Sequence, residues 1–353
     1  MSTVVQAEPS RLMMSRSRLP RWALPLLGVL TVAGTAALFA LTPLRGTADF
    51  VLIALPTYLL LQTIVVARVE GGRQARNRLA THALTLTFVV SLVPLVAVLG
   101  YTLTQGMRRF GLSFLTHSMR NVAESDPYGG AYHAIIGTLE QVGIAFAFAV
   151  PLGILVAIYL VEYGSGRPFA RTVSFFVDVM TGLPSIVAGL FIYALWILTL
   201  GFRYSGFAGA LALTLLMLPT VVRSTEEMLR LVPHGLREAS LALGVRRWRT
   251  ILRIVLPTAM AGIVTGVMLA IARIVGETAP LVLTVFGTNS INNDPFNGAQ
   301  SALPLYIYSE AGQPNDTAID RAWAAALTLI LIVMLLNLAA RLLAWWRTPK
   351  SSH

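Results

Sequence analysis

The 353-residue chain has no cysteine, so it can form neither a disulfide framework nor a thiolate metal site. Its five histidines are scattered without an H-x-x-x-H pair, and no metal-ligand cluster is legible. No G-x-x-x-x-G-K-[ST] occurs, which excludes a nucleotide-cradling P-loop in this chain. No nucleophile–base pair stands out either, which weighs against a membrane enzyme. Charge is scarce: 12% of residues are Asp, Glu, Lys or Arg, against about 25% in soluble domains whose surfaces must be wetted.

What the chain does have is apolar length. Apolar residues make up 56% of it, gathered in blocks long enough to cross about 30 Å of hydrocarbon as helices. Eight spans are expected: 22–41, 50–67, 84–103, 135–161, 173–200, 207–222, 258–286 and 322–344. The reading is an all-α polytopic membrane protein. The first span follows Arg11, Arg16, Arg18 and Arg21 but is too long for a signal-peptide core and lacks a clean small-residue exit before Pro43, so it is expected to be retained.

The net charge of +11 follows the topology rather than a nucleic-acid stripe. With the N-terminus in the cytoplasm, inside segments carry 19 Lys and Arg and outside segments 6, which predicts cytoplasmic termini. The expected organisation is a basic N-terminus (1–21), two additional helices (22–67), a basic linker (68–83), a six-helix unit (84–344) and a tail (345–353). The two long outside loops, 104–134 and 287–321, have compositions suited to ordered docking surfaces.

The segment 223–258 reads RSTEEMLRLVPHGLREASLALGVRRWRTILRIVLPT. Ser224 and Glu227 match a capping box that would start a helix at the membrane exit. Pro233 and Gly235 break it, a second short helix is expected over 236–243, and Gly244 suits its C′ position. Pro257 would open the next span. A basic amphipathic loop lying on lipid headgroups explains this composition. The spacing adds more: Glu238-Ala239-Ser240, three residues, Gly244, nine residues, then Ile254-x-Leu256-Pro257. It resembles the EAA loop of ABC importer permeases, with Ser in place of the second Ala. That resemblance implies a coupling helix seated on a separate ATPase chain.

Five ionisable residues fall inside predicted spans: Arg341 in the last of them and, as functional candidates, Glu140, Asp178, Arg273 and Glu277. Each needs a cavity or a partner. Glu140 is placed near a span end as a structural group. Asp178 precedes Thr181-Gly182-Leu183-Pro184-Ser185, where a kink or a pathway lining is expected. Arg273 lies about 24 Å along its helix from Pro257, with Glu277 four residues on and expected on the same face. A guanidinium offers five donors in a fork that matches tetrahedral oxyanions. Gly262, Gly266 and Ala270 form a stripe for close helix packing.

The run Ala272-Arg273-Ile274-Val275-Gly276-Glu277-Thr278-Ala279-Pro280-Leu281 resembles a signature of the PstA-type permease family of phosphate ABC importers. So do Gly182–Phe191 (GLPSIVAGLF) and Arg321-Ala322-Trp323-Ala324-Ala325-Ala326. The resemblance covers about 84–344 and implies a type I ABC importer permease (MetI-like) core of six helices, with the two N-terminal helices outside the usual pattern. It implies a PstC-like partner permease, two PstB-like ATPases that bind ATP and Mg, and an external PstS-like phosphate-binding protein. This chain itself would hold no cofactor. The implied substrate pathway is Arg273, Glu277, Thr278 and Asp178. Two other readings remain: a permease for another oxyanion such as molybdate or sulfate, or a secondary anion transporter or channel using Arg273 and Glu277 as a relay.

Overall fold

The computed structural model describes residues 19–20, 22–42, 46–164 and 166–347. The basic N-terminal arginines and Lys350 lie outside that range. Among the described residues regular structure is helical, apart from one isolated bridge between Phe286 and Gln300. Among the described residues seven helices are long and apolar enough to cross a membrane, or eight if one bent pair counts as a span.

The chain divides into two compact units, Met1–Val98 and Leu99–His353. The first contains α1 (Ala23–Leu41), α2 (Thr47–Val69) and most of α3 (Gly72–Gly106). The basic stretch read as a linker is largely the first turns of α3. In the first unit Phe39 and Phe50 meet edge-on at 5.3 Å between ring centroids. Buried Glu70 accepts from the Leu19 N–H and pairs with Arg78, each at 2.8 Å. Hydroxyls on these helices donate to the carbonyl four residues back, as Thr31, Thr85 and Ser91 do. That keeps polar groups satisfied inside hydrocarbon.

In the second unit α4 (Leu112–Thr116) precedes α5 (Tyr132–Ile158), which runs on through a π-helical turn, Tyr159–Tyr163. Next come α6 (Pro168–Thr181), α7 (Ser185–Ile192) with a π-helical continuation to Thr199, and α8 (Gly206–Leu231). The long helix α8 is the centre of this unit. Ala145, Ala149, Leu213, Met217 and Val221 form its buried contact with α5. The short α9 (His234–Ala242) and α10 (Arg247–Thr250) lead through a π turn, Ile251–Val255, into α11 (Leu256–Val275). Then follow α12 (Ala279–Thr284), α13 (Leu303–Ala311) and α14 (Asp316–Arg347). The Gly262–Gly266–Ala270 stripe lies on α8: a Cβ at Gly262 would sit 2.1 Å from the Met228 sulfur, and one at Gly266 2.4 Å from Ser224.

Four local expectations are corrected. The fifth span is not one rod, because α6 and α7 meet at 108° across Gly182–Pro184. Pro184 has no N–H to continue the ladder and holds its own backbone extended. The seventh span ends at Val275, and α12 is a separate helix. Ser224 and Glu227 do not start a helix. They lie inside α8, whose buried Thr225 and Leu229 carry it onward past the cap-like pattern. Pro257 does not open a span either. Helix runs unbroken from Arg247 to Val275, and the π turn just before Pro257 adjusts the ladder that proline would otherwise break.

Candidate functional site

The candidate residues gather in two places. The first is α9 and its supports. Pro233 starts α9 without side-chain capping, and Gly244 ends it at φ +77°. The Val245 N–H reaches the Ser240 carbonyl at 3.2 Å and the Gly244 N–H reaches Leu241 at 2.9 Å. A left-handed glycine that closes a helix end in this way is the Schellman arrangement. Glu238, Ala239 and Gly244 are exposed, as are Leu236, Leu241, Leu243 and Trp248. Ser240 is buried and shares a 2.9 Å hydrogen bond with Thr250. The third position of the E-A-S triplet therefore faces inward, where its hydroxyl has a partner. Ile254 lies in the π turn and Leu256 starts α11, both half-buried, while Pro257 is exposed.

An ion pair that sequence reasoning missed fixes α9 to the membrane helices. Arg237 meets the buried Glu162 at 2.9 Å and donates to the Val232 carbonyl (2.6 Å) and the Leu229 carbonyl (2.8 Å) at the end of α8. Arg247 donates to the Glu162 carbonyl and lies over the Tyr163 ring at 5.1 Å. The partners are 75 residues apart; the only local signal was an acid at the apolar edge of a span.

The second place is the break between α11 and α12. Arg273 is exposed in the last turn of α11. Gly276 ends that helix, and Glu277 and Thr278 form a half-buried connection to Ala279. Glu277 therefore does not share a helix face with Arg273, and among the described residues no ion pair joins them. Thr278 lines a cavity of about 660 Å³ together with Tyr308, Ser309 and Gln313 from α13 and its end. Here the fold unites the two signature runs. A Cβ at Gly189 of α7 would lie 2.6 Å from the Pro280 Cα of α12. Each run is a short helix after a break, and the glycine lets the backbones touch. Gly189→Val should lower stability by about 1–3 kcal/mol through overpacking, read as a lower unfolding temperature in detergent. An unchanged temperature would show that this contact opens freely.

Asp178 belongs elsewhere. It pairs with Arg223 of α8, which also donates to Ser174 and pairs with Glu226 at 2.5 Å. No bond ties it to Arg273 or Glu277 among the described residues. Glu140 accepts from Gln300 at 2.5 Å, and Gln300 in turn accepts from the buried Gln141 at 2.9 Å. That network anchors the segment after α12 to α5. A buried clamp that sequence reasoning also missed lies at the start of α14. Arg321 is wholly buried, pairs with Glu310 at 2.6 Å, and donates to the carbonyls of Glu124 and Asp126. Beside it, burial and then Glu310 push the Tyr306 phenol well above its ordinary range.

The family model described as binding-protein-dependent transport system inner membrane component matches residues 149–351. The chain belongs to this family. Phosphate transport system permease protein PstA 1 of Mycobacterium tuberculosis (strain ATCC 25618 / H37Rv) is 53% identical over 281 residues, 79% of this chain and 90% of that one. The PstA protein of Pasteurella multocida (strain Pm70) is 40% identical over 270 residues, covering 76% and 95%. Among solved structures, a chain from a bacterial ABC transporter involved in the import of the acidic polysaccharide alginate superposes with a TM-score of 0.52 at 15% identity. It covers 77% of this chain and 97% of that one. The fold is thus that of an importer permease. With its apolar helices, this family member is a multi-pass inner-membrane protein.

Proposed function

We propose that the chain forms one half of the translocation pore of an ATP-driven importer of inorganic phosphate. The observation that carries this reading is α9: an exposed helix with a carboxylate, small and apolar side chains, and a left-handed glycine end, held rigidly from behind. The chain's sequence relatives are phosphate transport system permeases, and phosphate is taken as the substrate here. In this reading both termini and α9 are cytoplasmic, and Thr278 and α13 lie toward the outside. The partner permease is PstC-like, the two ATPases that bind ATP and Mg are PstB-like, and a PstS-like protein delivers phosphate. The boundaries expected from sequence, with a permease unit over 84–344 and two added helices over 22–67, belong to the same proposal.

In this reading a coupling route runs through the contacts of α9. Movement of α9 by the ATPase acts on Glu162 through Arg237, and on Thr250 through Ser240. Thr250 belongs to the continuous helical run Arg247–Val275. That run carries Arg273 roughly 39 Å from Arg247. A displacement at one end can therefore reposition a fixed charge at the other. Arg273 would receive the anion, with Glu277 and Thr278 beside it. Phosphate near neutral pH retains an O–H that a carboxylate can accept, and sulfate does not. Asp178, tied to Arg223, would act on the pathway by positioning α6.

Gly244→Leu tests the route. At φ +77° a leucine is strained by about 1 kcal/mol or more, enough to disturb the end of α9 while leaving the membrane helices inserted. Phosphate uptake should be lost, with the chain present at normal levels. Full ATP-driven uptake would remove the coupling assignment. Failure of any ATPase subunit to co-purify with the unaltered chain would favour a secondary transporter instead.

A further inference from the structure

One intramembrane arginine has no place in this scheme. Arg341 of α14 is exposed, and no hydrogen bond, ion pair or ring contact engages it among the described residues. It lies about 9 Å from the described end of α14. A permanent charge at that depth needs an anion, water or a partner.

The structure places Arg341 at one end of a cavity of about 740 Å³ between α11 and α14. The two helices run antiparallel. Thr278, just past the end of α11, shares a cavity with α13, and α13 is clamped to the start of α14 by Glu310 and Arg321. Arg341 therefore lies level with the first half of α11, toward the α9 end. The polar groups of the lining gather at one end of an otherwise apolar wall. Arg341, Asn337 and Thr265 lie toward the α9 end with apolar Ala261, Val264 and Leu338 among them, and Met268, Leu269 and Met334 continue the apolar wall along the helices. Among the described residues no carboxylate lines the cavity. The Thr265 hydroxyl already donates to the Ala261 carbonyl at 2.9 Å, which leaves the guanidinium and the Asn337 amide as free donors.

We propose that this cavity holds one anionic phospholipid, its phosphate on Arg341 and Asn337 and an acyl chain along Met268, Leu269 and Met334. One cation without a counter-ion among the described residues selects a negative ligand. A forked guanidinium matches phosphate oxygens. The apolar length beyond it at bilayer depth selects an amphiphile over a small anion. Basic pockets between membrane helices, near the headgroup level, bind anionic lipids in this way. The occupied cavity would brace α11, the helix that carries Arg273, against α14. This inference is independent of the phosphate reading, because it requires neither the substrate nor the coupling route.

The test uses the assembled transporter containing this chain, in nanodiscs of phosphatidylcholine with or without phosphatidylglycerol. Native mass spectrometry then counts the lipids that survive delipidation. The unaltered chain should retain one phosphatidylglycerol per copy. Arg341→Gln should weaken retention about tenfold, the scale of one lost charge-assisted hydrogen bond. Met334→Trp, which fills the apolar end while keeping the arginine, should weaken it as well. Subunit stoichiometry in the same spectra reports assembly. Equal retention by the unaltered chain and Arg341→Gln would overturn the proposal, as would equal retention of phosphatidylcholine. Displacement of the lipid by millimolar inorganic phosphate would make the site one for free anion. Disulfide capture of Leu338→Cys by a cysteine in a partner permease helix would show that protein, not lipid, covers the cavity.

Discussion

Arg273→Ala should reduce phosphate uptake by roughly two orders of magnitude, the scale of about 3 kcal/mol lost from the barrier when a charge-assisted donor to the anion is removed. The assembled complex should remain at normal levels, because Arg273 is exposed at the end of α11 and bears no structural ion pair among the described residues. Its replacement leaves no buried partner stranded. Arg273→Lys preserves the charge without the fork and should also fall well below the unaltered rate. Glu277→Gln should have the smaller effect. Glu277 follows the helix end and is half-buried, so it can accept a phosphate O–H without being needed to hold the arginine. The measurement is steady-state uptake in membranes with matched protein levels. Wild-type rates in Arg273→Ala would make this arginine a contact to the partner permease, and the pathway would have to be sought elsewhere, starting with Asp178.

Arg321→Met is expected to act on the fold. Arg321 is completely buried, and its removal would strand the Glu310 carboxylate and the carbonyls of Glu124 and Asp126. Breaking one side of a buried pair costs about 3–5 kcal/mol. The yield of folded chain in detergent should drop sharply, and the unfolding temperature with it. Because the penalty comes from the stranded charge, Arg321→Met combined with Glu310→Met should recover part of the loss. If the double substitution were no better than the single one, the carbonyl contacts rather than the ion pair would be what the clamp supplies. Arg321 had been noticed only as the start of a family-like run. Its role depends on a carboxylate 11 residues earlier and on carbonyls nearly 200 residues away.

Helix α9 shows how far local chemistry reaches. Pro233 and Gly244 bound α9, because a missing N–H and a left-handed φ are properties of single residues, but Gly235, expected to break the helix, lies inside it. Ser224 and Glu227 misled because a cap-like spacing also occurs within helices. What decides between the two is whether the next turn is buried, and Leu229 is. Arg273 and Glu277 misled for the same reason: i,i+4 spacing puts two residues on one face only while the helix lasts, and Gly276 ends it.

The sequence by itself determined the membrane class, the approximate spans and the EAA-like spacing. All of these follow from hydrophobic length and from residue types at short, fixed separations. Tertiary structure decided the rest. It bent the 173–200 span through 108°, brought Gly189 against Pro280, tied Asp178 to Arg223 and Glu162 to Arg237, and left Arg341 without a partner among the described residues at one end of a cavity between α11 and α14. Those outcomes depend on which helix faces meet. In a lipid-like medium most apolar faces are equally acceptable, so close backbone approach and the pairing of a few buried charges select the arrangement.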